Sequence, residues 1–392
     1  MVKNVIIIIL SNFLIFLVYN SFQEKISINE NLGYDGVYYY KMSEQFQEHK
    51  QVTTDAPFVY RIGTPFIASL FTNIKLAYFY INIFSAILSS ILIYFLFIKY
   101  FNFKLSVILS ILYQLHWISG IRYILFDSIS VDFIALNFLF VGLILIKSNL
   151  SNHKKIIFLL VLTLFGVFFR EIAFIPAIIY FISNFRQERK SSFPLISGII
   201  LLLILHLTII KTNSYHGIEN AIKWFYIKGI GTYLLSIFNV YGLLILIPII
   251  FYKDMIKFYL TNKEIYLSFA MIMILALIGG SDTERILSWS LPFFYIIAFQ
   301  IIDSRKIYSQ YLMLVIFVSL IFTYRVFWSI PADVENTKHI LPFITYISND
   351  FNFADLLAYH GLKKYTSIQL VEYLSLFTIL YYLMKRRFNG NK

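Results

Sequence analysis

The sequence predicts an all-α, polytopic integral membrane protein, and three observations carry that expectation. Of the 392 residues, 59% are hydrophobic and only 14% are charged, where a soluble domain has about 25% charged residues. The run 76–98 carries no charge. It and 367–384 reach the roughly 20 residues that cross a hydrocarbon core. The basic residues are also unevenly spread. More than half of the 33 fall in short segments that one topology places on a single side, as the positive-inside tendency requires.

That topology has about twelve transmembrane or half-spanning helices, near 4–19, 76–98, 105–122, 128–147, 156–169, 171–182, 193–210, 236–252, 264–279, 289–302, 307–324 and 367–384. Both termini lie inside. Residues 4–19 have no small-residue cleavage site after them, so they read as a retained first span and not a signal peptide. The inner clusters include Lys147, Lys154 and Lys155, then Arg186, Arg189 and Lys190, and finally Lys385, Arg386 and Arg387. The outer segments are left slightly acidic. The net charge of +12 is thereby explained without nucleic acid. With no cysteine, disulfides and thiolate metal sites are excluded.

One segment decides the topology. Residues 156–182 are apolar except for Arg170 and Glu171 in the middle, and basic clusters flank both ends. A single span would put those clusters on opposite sides. Two short helices meeting at Arg170 keep both inside. Each is about 20 Å long at 1.5 Å per residue, too short to cross about 30 Å. Such short helices are stable where their ends are buried in protein or line a watery cavity. No internal repeat or separate soluble domain is evident, so residues 1–392 read as one membrane domain. Three polar segments lie outside: a first loop 20–57, a basic and aromatic segment 211–235, and a last loop 325–366.

The first loop contains Asp35, followed by an amphipathic pattern over 36–48 in which Tyr38, Met42, Phe46 and His49 recur at helical spacing. This predicts a helix lying at the membrane interface. Asp35 is also a good N-cap for it. Three further outer-side pieces carry charge. Arg61 stands one turn before Thr64-Pro65, a cap followed by proline at a helix start. Arg170-Glu171 sits at the hairpin tip, where charges inside a membrane usually pair or line a pathway. The stretch 279–289 places Asp282, Glu284 and Arg285 after two glycines. Asp127 and Asp132 follow Arg122 at another outer turn, and Asp132 is a secondary candidate. The histidines His116, His153, His206, His216, His339 and His360 are scattered, and no His/Asp/Glu cluster has metal-ligand spacing. No nucleotide-binding glycine loop occurs.

Acids and arginines gathered at one membrane face suit sugar transfer from a lipid phosphate. A carboxylate takes the proton of an acceptor hydroxyl as it attacks the anomeric carbon. Arginines stabilise the departing phosphate.

The order of YDGVYYYKMSEQF, PFVYRIGTPFIASLF, FFREIAF and GGSDTERILSWSLPF resembles the GT-C superfamily of membrane glycosyltransferases, in particular bacterial members of surface-polysaccharide pathways. The resemblance runs over roughly residues 1–302. It implies a polyprenyl-phosphate-linked sugar donor, an envelope-glycan or lipid-linked acceptor, and reaction on the periplasmic or exterior face of a bacterial plasma membrane. It maps the catalytic acid onto Asp35. Many members carry a second acid nearby, for which Asp55 is the candidate. On this reading Asp35 is the general base and Arg61, Arg170 and Arg285 are phosphate ligands. Glu171, Asp282 and Glu284 orient the arginines or touch the sugar. Membrane lipids are the other partners. No cofactor is called for, and a divalent metal is left open. The rival expectations are an O-antigen-type polymerase and a transporter or flippase of lipid-linked sugar.

Overall fold

The computed structural model describes residues 1–392 apart from 187, 214–215, 281, 306–309, 328, 331–363 and 390–392. Most of the expected last loop 325–366 therefore lies outside the described residues. Among those described there is no β-strand, only an isolated bridge between Thr54 and Lys211. Six helices are long and apolar enough to cross a membrane, or seven if the bent pair Tyr252–Thr261 and Lys263–Ile278 counts as one span. Three further apolar helices, Asp132–Ile146, Glu171–Asn184 and Leu291–Ser304, are shorter. The chain divides into two compact units. The first is Met1–Gln114 with Gly120–His216, and the second is Leu115–Ser119 with Gly217–Lys392.

The first unit begins with α1 (Val2–Asn20), whose buried residues Ile8, Asn12, Ile15 and Tyr19 form one stripe at helical spacing. The interfacial helix α2 (Gly36–Gln47) forms where the sequence predicts it. Its buried face is Tyr39, Met42 and Ser43, shifted by one residue from the expected Tyr38–Met42–Phe46–His49 stripe. Tyr38 instead stacks flat on Phe58 at 4.4 Å, and Phe46 meets Phe66 edge-on. The exposed His49 lies past the helix end.

A 3-10 turn (Phe58–Tyr60) and the short α3 (Gly63–Ser69) follow. Helix α3 starts one residue before the expected cap, so Thr64 lies within its first turn and Ile62 is the boundary residue. Tyr39, Met42, Val59, Tyr60, Ala68, Tyr78, Ile129 and Val131 pack into one core that fixes α2 and α3 against α4 (Ile74–Phe97). Polar pairs lock α4 to α7 (Asp132–Ile146): Ser89 donates to Asn137 at 2.7 Å, and Asn137 donates to the Ser85 carbonyl at 3.1 Å. Such hydrogen bonds replace the hydrophobic drive that is missing between helices in lipid. Between α4 and α7 run α5 (Phe103–Leu115) and α6 (Gly120–Phe126).

The expected break at Arg170 is present. Helix α8 (Asn152–Gly166) stops, Arg170 is extended (φ −170°), a 3-10 turn covers Glu171–Phe174, and α9 (Ile175–Asn184) continues. Helix α10 (Phe193–Thr208) packs on α8 and completes the unit.

In the second unit the expected polar loop 211–235 is helical from Gly217. Helix α11 (Gly217–Tyr241) passes through it with a kink at Gly229, whose φ of 63° only glycine adopts readily. Scattered lysines mask the helical pattern there. The segment expected at 236–252 breaks into the end of α11, a 3-10 turn (Gly242–Ile245) and α12 (Leu246–Ile250). Helix α13 (Tyr252–Thr261) buries no residue and meets α14 (Lys263–Ile278) at 114°. After α14 come α15 (Thr283–Ser288), α16 (Leu291–Ser304), α17 (Gln310–Thr323) and α18 (Lys364–Asn389).

Candidate functional site

Asp35 occupies the N-cap position of α2, but its side chain accepts no capping hydrogen bond and its backbone is already helical (φ −78°, ψ −28°). The capping role that its residue type offers is not the one it plays. The residue is half-buried. Close approaches on either side of it fix its place. Gly33 has φ 75°, and a Cβ there would come within 3.0 Å of both Asp127 carboxylate oxygens. A Cβ on Gly36 would lie 3.0 Å from the Ile129 side chain. The positive φ at Gly33 favours glycine, and a side chain at either position would press on its neighbour, so the Asp35 loop is seated on the 127–129 segment. That segment is itself anchored: the Asn82 amide donates to the Ser128 and Ser130 carbonyls at 2.8 and 3.0 Å.

The segment leads into Asp132, which opens α7, where a helix N-terminus favours a negative charge. Asp132 is the ion-pair partner of Arg170, and both side chains are buried. The neighbouring Glu171 turns the other way. Its carboxylate pairs with Arg61 at 3.1 and 3.3 Å. Arg61 also donates to the Tyr39 hydroxyl at 3.0 Å. Tyr39 is held in turn, since Tyr78 donates to its carbonyl at 3.1 Å. Tyr39 lies four residues after Asp35, so the two share a helix face. The strap around Arg61 is pinned to the α8–α9 break by Gly63, whose amide donates to the Phe168 carbonyl at 2.7 Å.

A polar seam in the first unit joins Asp132 to Arg170, and Glu171 to Arg61 and Tyr39. The 127–129 segment beneath the Asp35 loop leads along the chain into it. Burial would lower the Arg61 pKa, but the Glu171 carboxylate and Tyr39 outweigh it and hold the guanidinium above its ordinary value. Arg61 stays charged at any physiological pH. The Tyr38 phenol is pushed up by its partial burial and then by the Asp55 and Asp35 carboxylates. Both acids thus act on one phenol. Asp55 is also tied down, because Thr212 donates to its carboxylate and Asn213 brackets the Ala56 backbone.

The second unit contains the other predicted charges. Arg285 pairs with Asp282 at 2.6 Å. Glu284 is buried and accepts from Ser236 at 2.9 Å and from Asn239 at 3.5 Å on α11. Its bonds to α11 give it a helix-joining role, beside the expected one of orienting an arginine. The buried Lys228, just before the Gly229 kink, donates to the Ala276 carbonyl at 2.5 Å near the end of α14.

The adjacent Arg170 and Glu171 therefore do not pair with each other: Glu171 pairs with Arg61, and Arg170 with Asp132. Local sequence pattern does not single out Tyr39, whose signal is its place one turn after Asp35. Among the described residues no group of three or more His, Cys, Asp or Glu could hold a metal ion. Comparison of the chain with protein-family models, with curated proteins and with solved structures finds no match.

Proposed function

We propose that the chain is a membrane glycosyltransferase that moves a sugar from a polyprenyl-phosphate donor to an envelope-glycan or lipid-linked acceptor, with Asp35 as the general base. One observation carries the reading. Asp35 stands at a helix start without capping it, between Gly33 and Gly36, which close on the segment that leads to the buried Arg170–Asp132 pair. A carboxylate on a fixed loop that is not used to cap the helix suits a general base.

In the proposed step the acceptor hydroxyl loses its proton to Asp35 as its oxygen bonds to the anomeric carbon. The bond from that carbon to the phosphate oxygen breaks, and its electron pair leaves with the phosphate. A single displacement inverts the anomeric centre. Arg61 and Arg170 lie along the seam as the charges that steady the leaving phosphate. Each already has a carboxylate partner, but a guanidinium has five N–H donors. The contacts of Arg61 to Glu171 and Tyr39 use one bond from each nitrogen, so donors remain for a phosphate oxygen. Arg285, Asp282 and Glu284 belong to the same proposal as substrate-binding residues. The topology that goes with it has about twelve full or half spans, both termini inside, and Asp35 facing the periplasm or exterior of a bacterial plasma membrane.

The test is mass spectrometry of lipid-linked and surface glycans from cells lacking the gene, with the gene restored, or restored as Asp35→Asn at matched protein level. Loss of one sugar in both the deletion and the variant supports the proposal. A full glycan in the variant removes Asp35 from the chemistry, and loss of whole repeat units favours a polymerase.

A further inference from the structure

A second feature of the first unit lies apart from the arginine pairs. Just past the end of α1, and beside the start of α4, is a cleft of about 420 Å³ lined by Lys25, Asn31, Asn73, Lys75, Leu76 and Phe79, among others. Both helices are long and apolar enough to span a membrane, so the cleft sits where two candidate spans reach the same end. Lys25 and Lys75 are exposed, and among the described residues neither has a carboxylate within ion-pair distance. The Lys75 ammonium donates to the Glu30 carbonyl at 3.0 Å and stands over the Tyr40 ring at 5.8 Å. Those contacts hold its position and leave its charge uncompensated. The Asn73 carbonyl oxygen is spent on the Leu76 amide, so its NH2 group is left to donate.

Below the lysines the surface turns apolar. Lys75 and Phe79 lie four residues apart on one face of α4, and Phe79 meets Phe16 of α1 at 6.3 Å. The neighbouring outward faces, Phe13 and Leu17 on α1 and Leu76, Tyr80 and Phe84 on α4, are exposed. Two cations and two amides above an apolar wall match a lipid with a phosphodiester headgroup and hydroxyls next to it.

We infer that this cleft binds an anionic phospholipid of the phosphatidylglycerol class, with Lys25 and Lys75 holding the phosphate and the acyl chains lying along α1 and α4. The inference is independent of the proposed transferase activity. Two uncompensated cations beside an apolar wall favour a bilayer lipid that is present at high local concentration.

The experiment is native mass spectrometry of the full chain in detergent, titrated separately with phosphatidylglycerol, phosphatidylcholine and a polyprenyl phosphate. Each lysine at a membrane surface strengthens binding of anionic lipid about fivefold. Lys25→Gln with Lys75→Gln should therefore weaken phosphatidylglycerol binding roughly 25-fold. The double arginine variant should retain it, and phosphatidylcholine should bind weakly throughout. Thermal unfolding of the exposed-residue variants should match the parent chain. Three results overturn the inference: undiminished binding in the double glutamine variant, no preference over phosphatidylcholine, or binding of polyprenyl phosphate in place of phosphatidylglycerol.

Discussion

Arg61 and Glu171 stand 110 positions apart in the chain and are joined by an ion pair of 3.1 Å. This contact ties the strap after α2 to the break between α8 and α9. It sits next to a second pair, Arg170 with Asp132, which ties the same break to α7. Two adjacent residues, Arg170 and Glu171, thus reach in two directions and close the polar seam.

The Arg170–Asp132 pair is buried on both sides, so removing one partner strands a charge. Arg170→Ala or Asp132→Ala alone should each destabilise the chain by about 3–5 kcal/mol. Replacing both with well-packed apolar residues should cost much less. A double-mutant cycle on thermal unfolding in detergent measures the coupling, and additive losses would show that the pair does not act as one unit.

The Arg61 pair is weaker in stability terms, because the Glu171 side chain is 42% exposed and water screens it. Tyr39→Phe removes one hydrogen bond to Arg61 and should cost about 1 kcal/mol. Arg61→Lys keeps the charge but cannot reproduce the three-nitrogen contact. Under the proposed function, sugar transfer by Arg61→Lys should fall while the protein still folds. An Arg61→Lys protein with parental activity would limit Arg61 to a structural role.

Gly33 supplies a backbone conformation and a close approach that alanine cannot. Gly33→Ala places a methyl against the Asp127 carboxylate at φ 75°. The substitution should cost about 1–2 kcal/mol and lower activity further than stability alone explains, since it shifts the Asp35 loop. Comparing activity with the folded fraction across temperature separates the two effects.

In the second unit, Glu284→Ala removes the carboxylate that accepts from Ser236 and Asn239, and the Ser236 hydroxyl keeps only the Thr232 carbonyl at 3.0 Å. The substitution should destabilise by about 1–3 kcal/mol, whereas Glu284→Gln keeps an acceptor and costs less. Equal losses for both would mean that the charge matters, and not the hydrogen bonds.

The all-helical fold was legible from composition and from charge-free runs, and the break at Arg170 from a charged pair in the middle of an apolar stretch. Helix α2 was legible in place but not in register. Three consecutive tyrosines, Tyr38 to Tyr40, fit the same aromatic pattern, and only packing against Phe58 and the α4 core selects Tyr39 as the buried one. The helix over 217–235 was hidden because its lysines look like a loop, although Lys228 is buried against the end of α14. Asp132 could be flagged as a charge early in a span, but its pairing with Arg170 is a tertiary contact that no local pattern encodes.

The proposed function gives the Asp35 carboxylate chemistry in place of a helix cap. The most direct measurement compares purified parent chain and Asp35→Asn for sugar transfer and for thermal unfolding in the same detergent. With Asp35 as the general base, transfer falls by roughly 100- to 10,000-fold while the variant still unfolds cooperatively as a folded protein, since the helix cap does not depend on its side chain. Parental transfer by a fully folded Asp35→Asn protein would contradict it.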